Sequence, residues 1–103
     1  MTTVIAQRNL LFSVKGQAER RPLVIRLYAP QPVTPDSPLY RPGQETASCR
    51  VEFDGIAAGN LGDTFGADTL QAIQLAADIE PTLKRLSKEY DFYFPTGEGY
   101  FDE

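Results

Sequence analysis

The sequence predicts an α+β domain in which a three- to four-stranded antiparallel sheet packs on one long C-terminal helix. Apolar and polar residues alternate in three segments before residue 54, as in half-buried strands. After residue 68 the apolar residues recur at steps of three and four, as in an amphipathic helix. Because the strands precede the helix and do not alternate with helices, this order favours an antiparallel sheet over a parallel one.

The first two strands are expected over 3–15 and 22–29, with the polar segment GQAERR between them. A connection this short favours an antiparallel hairpin. Arg8 is the only polar residue on the inward face of the first strand. The residues expected to face inward are Val4, Ala6, Leu10, Phe12, Val14, Leu23, Ile25, Leu27 and Ala29.

Residues 30–46 contain five prolines. Proline removes a backbone donor and restricts φ, so we expect a long loop here, without a helix or an interior strand. Tyr40 lies near the tip of this Pro-rich loop and is a candidate for partner binding. The third strand is expected over 47–53, where the alternation is cleanest and places Cys49 in the core as a small apolar group.

Residues 54–66 contain four glycines, which we interpret as turn positions that need a positive φ. Gly66 is not followed by Lys and Ser or Thr, so the segment is not a phosphate-binding loop. The acids and amides around it also miss the spacing of an EF-hand calcium loop. Those residues are Asp54, Asn60, Asp63 and Asp68. The sequence therefore predicts no metal site and no cofactor site.

The helix is expected to begin at Asp68, with Gln71 three residues later completing a capping box. Pro81 interrupts it, because proline cannot donate the backbone hydrogen bond that a helix interior requires. We therefore expect one Pro-kinked helix with a break around 78–80. Its core-facing stripe is predicted to comprise Leu70, Ala72, Ile73, Leu75, Ala76, Ile79, Leu83 and Leu86.

The C-terminal segment YDFYFPTGEGYFDE combines aromatic and acidic residues. Residues 90–94 are expected to form a fourth strand whose Phe92 and Phe94 pack on the core, and residues 95–103 to form a flexible tail. Aromatic side chains are common at binding hot spots, so the end of this tail is the predicted partner-binding edge. Its candidate residues are Tyr100, Phe101, Asp102 and Glu103, together with Tyr40 of the Pro-rich loop.

The composition predicts a single domain over 1–103 and limits the chemistry that it can perform. The chain has no histidine, so a Ser or Cys nucleophile lacks its usual base and zinc its commonest ligand. Its single cysteine fits a reducing compartment. No signal peptide and no apolar run of about 20 residues is recognised, so we expect a cytoplasmic protein without catalytic residues.

Charge is distributed unevenly along the chain. Residues 1–50 carry seven Lys and Arg against three acids, whereas residues 51–103 carry three against eleven. The net charge of −4 disfavours nucleic-acid binding, because an acidic chain repels phosphates. The same charge suits a basic protein partner, which it would attract over a distance.

The helix start resembles a box found in an uncharacterised bacterial family of small proteins. The segment 66–76, GADTLQAIQLA, is similar to the family pattern Gly-x-Asp-Ser-Leu-Gln-Ala-Leu-x-Leu-Ala, with Thr69 and Ile73 where the family has Ser and Leu. The segments 5–8, IAQR, and 49–51, CRV, are similar to family segments in the same order. The resemblance implies a bacterial origin and assigns no activity to any residue.

Two functional hypotheses follow. The first is a non-enzymatic protein-binding module, such as an immunity or antitoxin-like inhibitor of a basic toxin. The second is a structural or accessory protein that acts as a homo-oligomer. A small-ligand binder or an enzyme without a recognisable motif is the third alternative.

Overall fold

The computed structural model describes residues 3–38, 46–56 and 63–101. Its elements are β1 (Val4–Val14), β2 (Arg21–Tyr28), β3 (Gln31–Pro32), β4 (Ala47–Asp54), β5 (Asp63–Gly66), α1 (Thr69–Ala77), α2 (Glu80–Leu86) and β6 (Tyr90–Tyr93). Every strand pair is antiparallel. The α+β class is therefore confirmed, but the sheet has six strands where three or four were expected.

The β1–β2 hairpin forms the centre of the sheet. The two strands pair from Val4 opposite Tyr28 to Phe12 opposite Arg21, as the short connection predicts. Gly16 supplies a positive φ of 86° in the turn, a conformation that costs glycine little because it has no Cβ. Near the N-terminus the register shifts between Val4 and Ala6, which marks a β-bulge.

β4 extends the sheet on the other side of β2 and also pairs with the two strands that the sequence analysis missed. Ala47 and Ser48 pair with β3 and with β5, so these two strands lie on opposite edges of β4. Proline is tolerated at an edge, which is why Pro32 can belong to β3. The Pro-rich loop therefore begins with an edge strand. Its candidate residue Tyr40 lies outside the described residues.

The glycine-rich segment is only partly a turn. Gly55 has the expected positive φ, 119°. Gly66 ends β5 without a positive φ, and a Cβ built on it would lie 2.5 Å from the Ala72 nitrogen. The absence of a side chain at Gly66 therefore allows β5 to approach α1 closely. This requirement comes from tertiary packing, so the local sequence does not reveal it. Gly59 and Gly62 lie outside the described residues.

The helical segment begins and bends as expected. The Asp68 carboxylate accepts a hydrogen bond from the Gln71 backbone nitrogen at 2.7 Å, and the Gln71 side chain accepts one from the Ala67 nitrogen at 2.6 Å. α1 ends at Ala77, and α2 carries Pro81 in its first turn, where a missing N–H costs little. The break lies close to the expected positions 78–80, but it separates two short helices of 9 and 7 residues, so the single long Pro-kinked helix was wrong in this respect.

β6 is the expected fourth strand, and it pairs with the C-terminal half of β1. Beyond it the chain makes a tight turn in which Gly97 has a φ of 98°. The Tyr100 nitrogen then donates a hydrogen bond to the Phe92 carbonyl at 2.8 Å. Residues 95–101 thus fold back along β6 and do not extend away from the domain as a flexible tail would.

The helices cover one face of the sheet and enclose the core there. The buried apolar residues are Leu10, Phe12, Leu23, Ile25, Ala47, Cys49, Val51, Phe53, Ile56, Ala72, Ala76, Leu83, Leu86 and Phe92. Six residues that were expected to face the core are exposed: Val4, Ala6, Val14, Leu70, Leu75 and Phe94. Val4 and Val14 lie at the two ends of β1, Leu70 is in the first turn of α1, and Phe94 follows β6. Leu75 is 50% exposed and Phe94 is 40% exposed. None of the helices in the described ranges is long and apolar enough to cross a membrane.

Candidate functional site

An open apolar groove lies on the helix-covered face of the sheet, beside the break between α1 and α2. Its volume is about 160 Å³. An apolar cavity of about 150 Å³ can hold benzene, so the groove has room for one apolar side chain. It is lined by Ala6, Gln7, Arg8, Ile25, Leu27, Val51, Ala76, Ala77 and Ile79.

The groove exists because the helical layer is thin at this point. α1 presents only the methyl groups of Ala76 and Ala77 to the sheet, and α1 ends at Ala77. The Ile79 nitrogen bonds to the Ala77 carbonyl at 2.9 Å, so the chain turns tightly before α2 begins. Two small side chains and a helix break therefore leave the strands beneath uncovered.

Arg8, which lines the groove, belongs to a cluster of three polar side chains with Tyr100 and Glu80. Arg8 donates a hydrogen bond to the Tyr100 hydroxyl at 2.7 Å, and that hydroxyl donates to the Glu80 carboxylate. The Arg8 guanidinium also lies 3.9 Å from Glu80, and both side chains are about half exposed. Burial, followed by the hydrogen bond to Glu80, raises the pKa of Tyr100, so the hydroxyl stays protonated and donating at neutral pH.

The contacts of Arg8 with Tyr100 and Glu80 explain why a polar residue occurs on the inward face of β1. Arg8 was noticed in the sequence as an exception to the apolar alternation, but its partners lie 72 and 92 residues away. The groove is therefore not predictable from the alternation of residues in β1. The only local signals for it were Arg8 itself and the Pro81 break beside two alanines.

The residues predicted to form a partner-binding edge are placed differently from the expectation. Tyr100 and Phe101 are half-buried and pack against the core cluster. The Phe101 ring meets the Phe92 ring edge-on at a centroid distance of 6.5 Å. Both residues anchor the C-terminal segment, and Tyr100 also contacts Arg8, which lines the groove. Asp102 and Glu103 lie outside the described residues.

The opposite face of the sheet carries a charged network across β2 and β4. Arg26 donates to Glu52 at 2.8 Å and to Asp54 at 2.9 Å, and Tyr28 donates to Glu52 at 2.9 Å. The hydrogen bonds from Arg26 and then Tyr28 hold the pKa of Glu52 below its usual value. Because Glu52 stays ionised and its donors are engaged with it, this network joins two strands and offers no acid or base poised near neutral pH.

Cys49 is buried in β4, as the alternation predicts, and is 1% exposed. Its thiol donates a hydrogen bond to the Tyr28 carbonyl at 3.1 Å. Burial, with a smaller contribution from the charge of Asp63, raises the pKa of the Cys49 thiol. A thiol in this environment is a poor nucleophile, because the thiolate is the reactive form.

Across the described residues, no three or more Asp, Glu or Cys side chains are grouped closely enough to hold a metal ion. The possible calcium ligand Asn60 falls outside those ranges, so the structure describes that set only in part.

Comparisons with family models, curated proteins and solved structures find no match to this chain. The resemblance of the helix-start box to small bacterial proteins therefore stays a prediction.

Proposed function

We propose that this chain is a non-catalytic, cytoplasmic protein-binding module whose groove receives an apolar side chain of its partner. The observation that carries the proposal is the groove itself, an uncovered aliphatic surface beside the helices on the sheet face that holds the core. Open concave sites lined by aliphatic residues with a few polar groups at the edge are typical of binding sites.

The charges around the groove favour a basic partner. Asp78 and Glu80 flank Ile79 on the helical side of the groove, and Asp78 is exposed. The net charge of −4 adds long-range attraction, which raises the association rate with a positively charged protein. The specific form of the proposal is therefore an inhibitor of a basic toxin, as an immunity protein or antitoxin would be.

The test compares two arginine variants of α1 for capture of a partner from the native lysate. Ala77→Arg places a long charged side chain in the groove, whereas Gln74→Arg makes the same charge change at an exposed position outside it. We expect a stoichiometric basic partner to be captured by wild type and Gln74→Arg, and lost with Ala77→Arg. Equal capture by both folded variants would show that the groove is not the binding site.

The second candidate function, an accessory protein acting as a homo-oligomer, is favoured by a different observation. β6 covers only the C-terminal half of β1, so within the described residues the N-terminal half of that strand forms an open edge of the sheet.

A further inference from the structure

The open edge of β1 can be defined residue by residue. The Lys15 nitrogen donates to the Glu89 carbonyl at 3.0 Å, on the side of β6. Along a strand the backbone N–H and C=O groups of alternate residues point to the same side. Gln7 and Asn9 therefore direct theirs to the β6 side as well, but β6 pairs with β1 only from Leu11 onward. No strand of the described chain pairs with them there.

This edge carries few of the features that usually prevent strands from associating. Natural proteins protect open edges with proline, lysine, β-bulges or inward-pointing charges. The bulge of β1 lies between Val4 and Ala6, near the end of the strand, and residues 6–10 are in regular register with β2. Residues 4–10 contain neither proline nor lysine, and their one charge, Arg8, is bound to Tyr100 and Glu80. Val4 and Ile5 are 42% and 47% exposed. The edge is therefore suited to pairing with another strand.

We propose that this edge pairs with β1 of a second copy of the chain, antiparallel, with a two-fold axis at Gln7. The self-complementary contact of a symmetric dimer requires one strand to fit against itself. With the axis at Gln7, each Arg8 lies opposite the small Ala6 of the second copy, and the two Gln7 residues exchange backbone hydrogen bonds. Each Asn9 lies opposite Ile5 of the second copy.

Neighbouring registers are excluded or weaker. An axis at Arg8 would place two arginines directly opposite each other, which is repulsive. An axis at Asn9 would pair Gln7 with Leu11 of the second copy, whose outer backbone groups already bond to Tyr93. An axis at Ala6 would place Ile5, at the bulge, opposite Gln7 in the central pairs, whereas an axis at Gln7 uses Ile5 only at the ends of the interface.

The dimer would join the two binding surfaces. Side chains that lie opposite each other on paired strands share one face of the sheet. Both helical layers would therefore lie on the same face, with the two grooves on either side of the two-fold axis. Ala6, Gln7 and Arg8 belong both to this edge and to the lining of the groove. The dimer would use the outward backbone groups of β1, so its formation does not depend on the function proposed for the groove.

The first test measures mass against concentration by sedimentation equilibrium for wild type, Gln7→Pro and Gln7→Thr. We expect wild type to be dimeric with a dissociation constant from micromolar to millimolar, because an edge of a few residues is a small interface. Gln7→Pro removes an N–H that points outward and leaves the β1–β2 hydrogen bonds intact. It should be a folded monomer, whereas Gln7→Thr keeps the N–H and should remain dimeric.

The second test fixes the register and does not require a proline variant to fold. Residue 7 of the two copies should have Cα atoms about 5.5 Å apart, within the range of a disulfide. Under mild oxidation Gln7→Cys should therefore form a cross-linked dimer. Asn9→Cys is the control, because its two copies would lie four positions apart, about 13 Å. Cys49 does not interfere, since it is buried.

Three results would overturn the proposal: a wild-type monomer at millimolar concentration, a dimer that persists in folded Gln7→Pro, or equal cross-linking of the two cysteine variants. Ala77→Arg separates this inference from the proposed function. It should abolish partner capture and leave the dimer unchanged, so that each idea can fail without the other.

Discussion

Leu75 and Leu83 show how far a helical pattern identifies a core residue. Both belong to the predicted stripe, yet Leu75 is 50% exposed and Leu83 is fully buried. The predicted stripe is wider than the part of α1 that contacts the sheet. The buried residues of α1 are Ala72 and Ala76, so a leucine at the edge of the stripe stays exposed. Spacing alone therefore selects a face of a helix, and the depth of each residue depends on how closely that face approaches the strands.

We expect Leu83→Ala to destabilise the protein by about 2–5 kcal/mol, because it removes a buried side chain and leaves a cavity. Leu75→Ala makes the same chemical change at an exposed position and should cost at most about 0.5 kcal/mol. Urea unfolding of both variants measures the two free energies. Similar losses from the two substitutions would contradict the exposure of Leu75 in α1 and the burial of Leu83 in α2.

Cys49 should react slowly with a thiol reagent in the native protein and rapidly in denaturant. Its thiol is buried, bonded to the Tyr28 carbonyl and has a raised pKa, so little thiolate is present or reachable. The measurement is the labelling rate at neutral pH with and without denaturant, with Gln74→Cys on the exposed face of α1 as an exposed-thiol control. Equal native rates at the two positions would refute the inward placement of Cys49 in β4.

At the scale of elements, the junction of β5 with α1 depends on one glycine. Gly66→Ala would place a Cβ 2.5 Å from the Ala72 nitrogen, which is backbone and cannot simply rotate away. We expect a loss of about 1–3 kcal/mol, as for other overpacked sites.

Gly99→Ala is the matched control for that junction. Its φ is not positive, and the nearest atom to an added Cβ is the Phe101 carbonyl at 3.6 Å. Thermal unfolding should therefore give an unchanged or slightly higher melting temperature, since alanine restricts the unfolded chain. A Gly66→Ala variant as stable as this control would show that β5 and α1 can separate without cost.

The C-terminal segment is a second element whose role differs from the expectation of a flexible tail. Removing residues after Gly99 should lower the melting temperature by about 10 °C, because it deletes the Tyr100 backbone bond to Phe92 and uncovers the Phe92 ring. Truncation after Phe101 keeps both rings and is the control. If the two truncated proteins melt together, Tyr100 and Phe101 contribute to binding and not to folding.

At the scale of the whole molecule, the network on the outer face links stability to pH. The pKa of Glu52 is lowered, so the folded state favours the carboxylate more than the unfolded chain does. Its stabilising contribution is present above about pH 4.3, the usual pKa of Glu, and is lost as pH falls through the lower folded value.

Glu52→Gln should therefore reduce the loss of stability on acidification, measured as the change in urea midpoint between neutral and acidic pH. Glu19→Gln is the control, since Glu19 is exposed and pairs with its near neighbour Arg21. If Glu52→Gln retains the full acid dependence of wild type, the network with Arg26 and Tyr28 does not contribute to it.

The sequence by itself determined the class of the fold and most of its framework. Alternation identified β1, β2, β4 and β6, and the capping box identified the start of α1 at Asp68. Pro81 located the bend. These features are local: each depends on residues within a few positions of one another, so one segment suffices to reveal it.

Only the tertiary structure decided where the candidate site lies. β3 and β5 are short strands that exist because β4 offers them two edges, and neither has enough residues to show a period. The groove lies where α1 ends and presents two alanines to β1, β2 and β4. Arg8 lines it, and Arg8 is held there by hydrogen bonding to Tyr100, which in turn bonds to Glu80. Such contacts join residues far apart in the chain, and their energy depends on distances that no local pattern encodes.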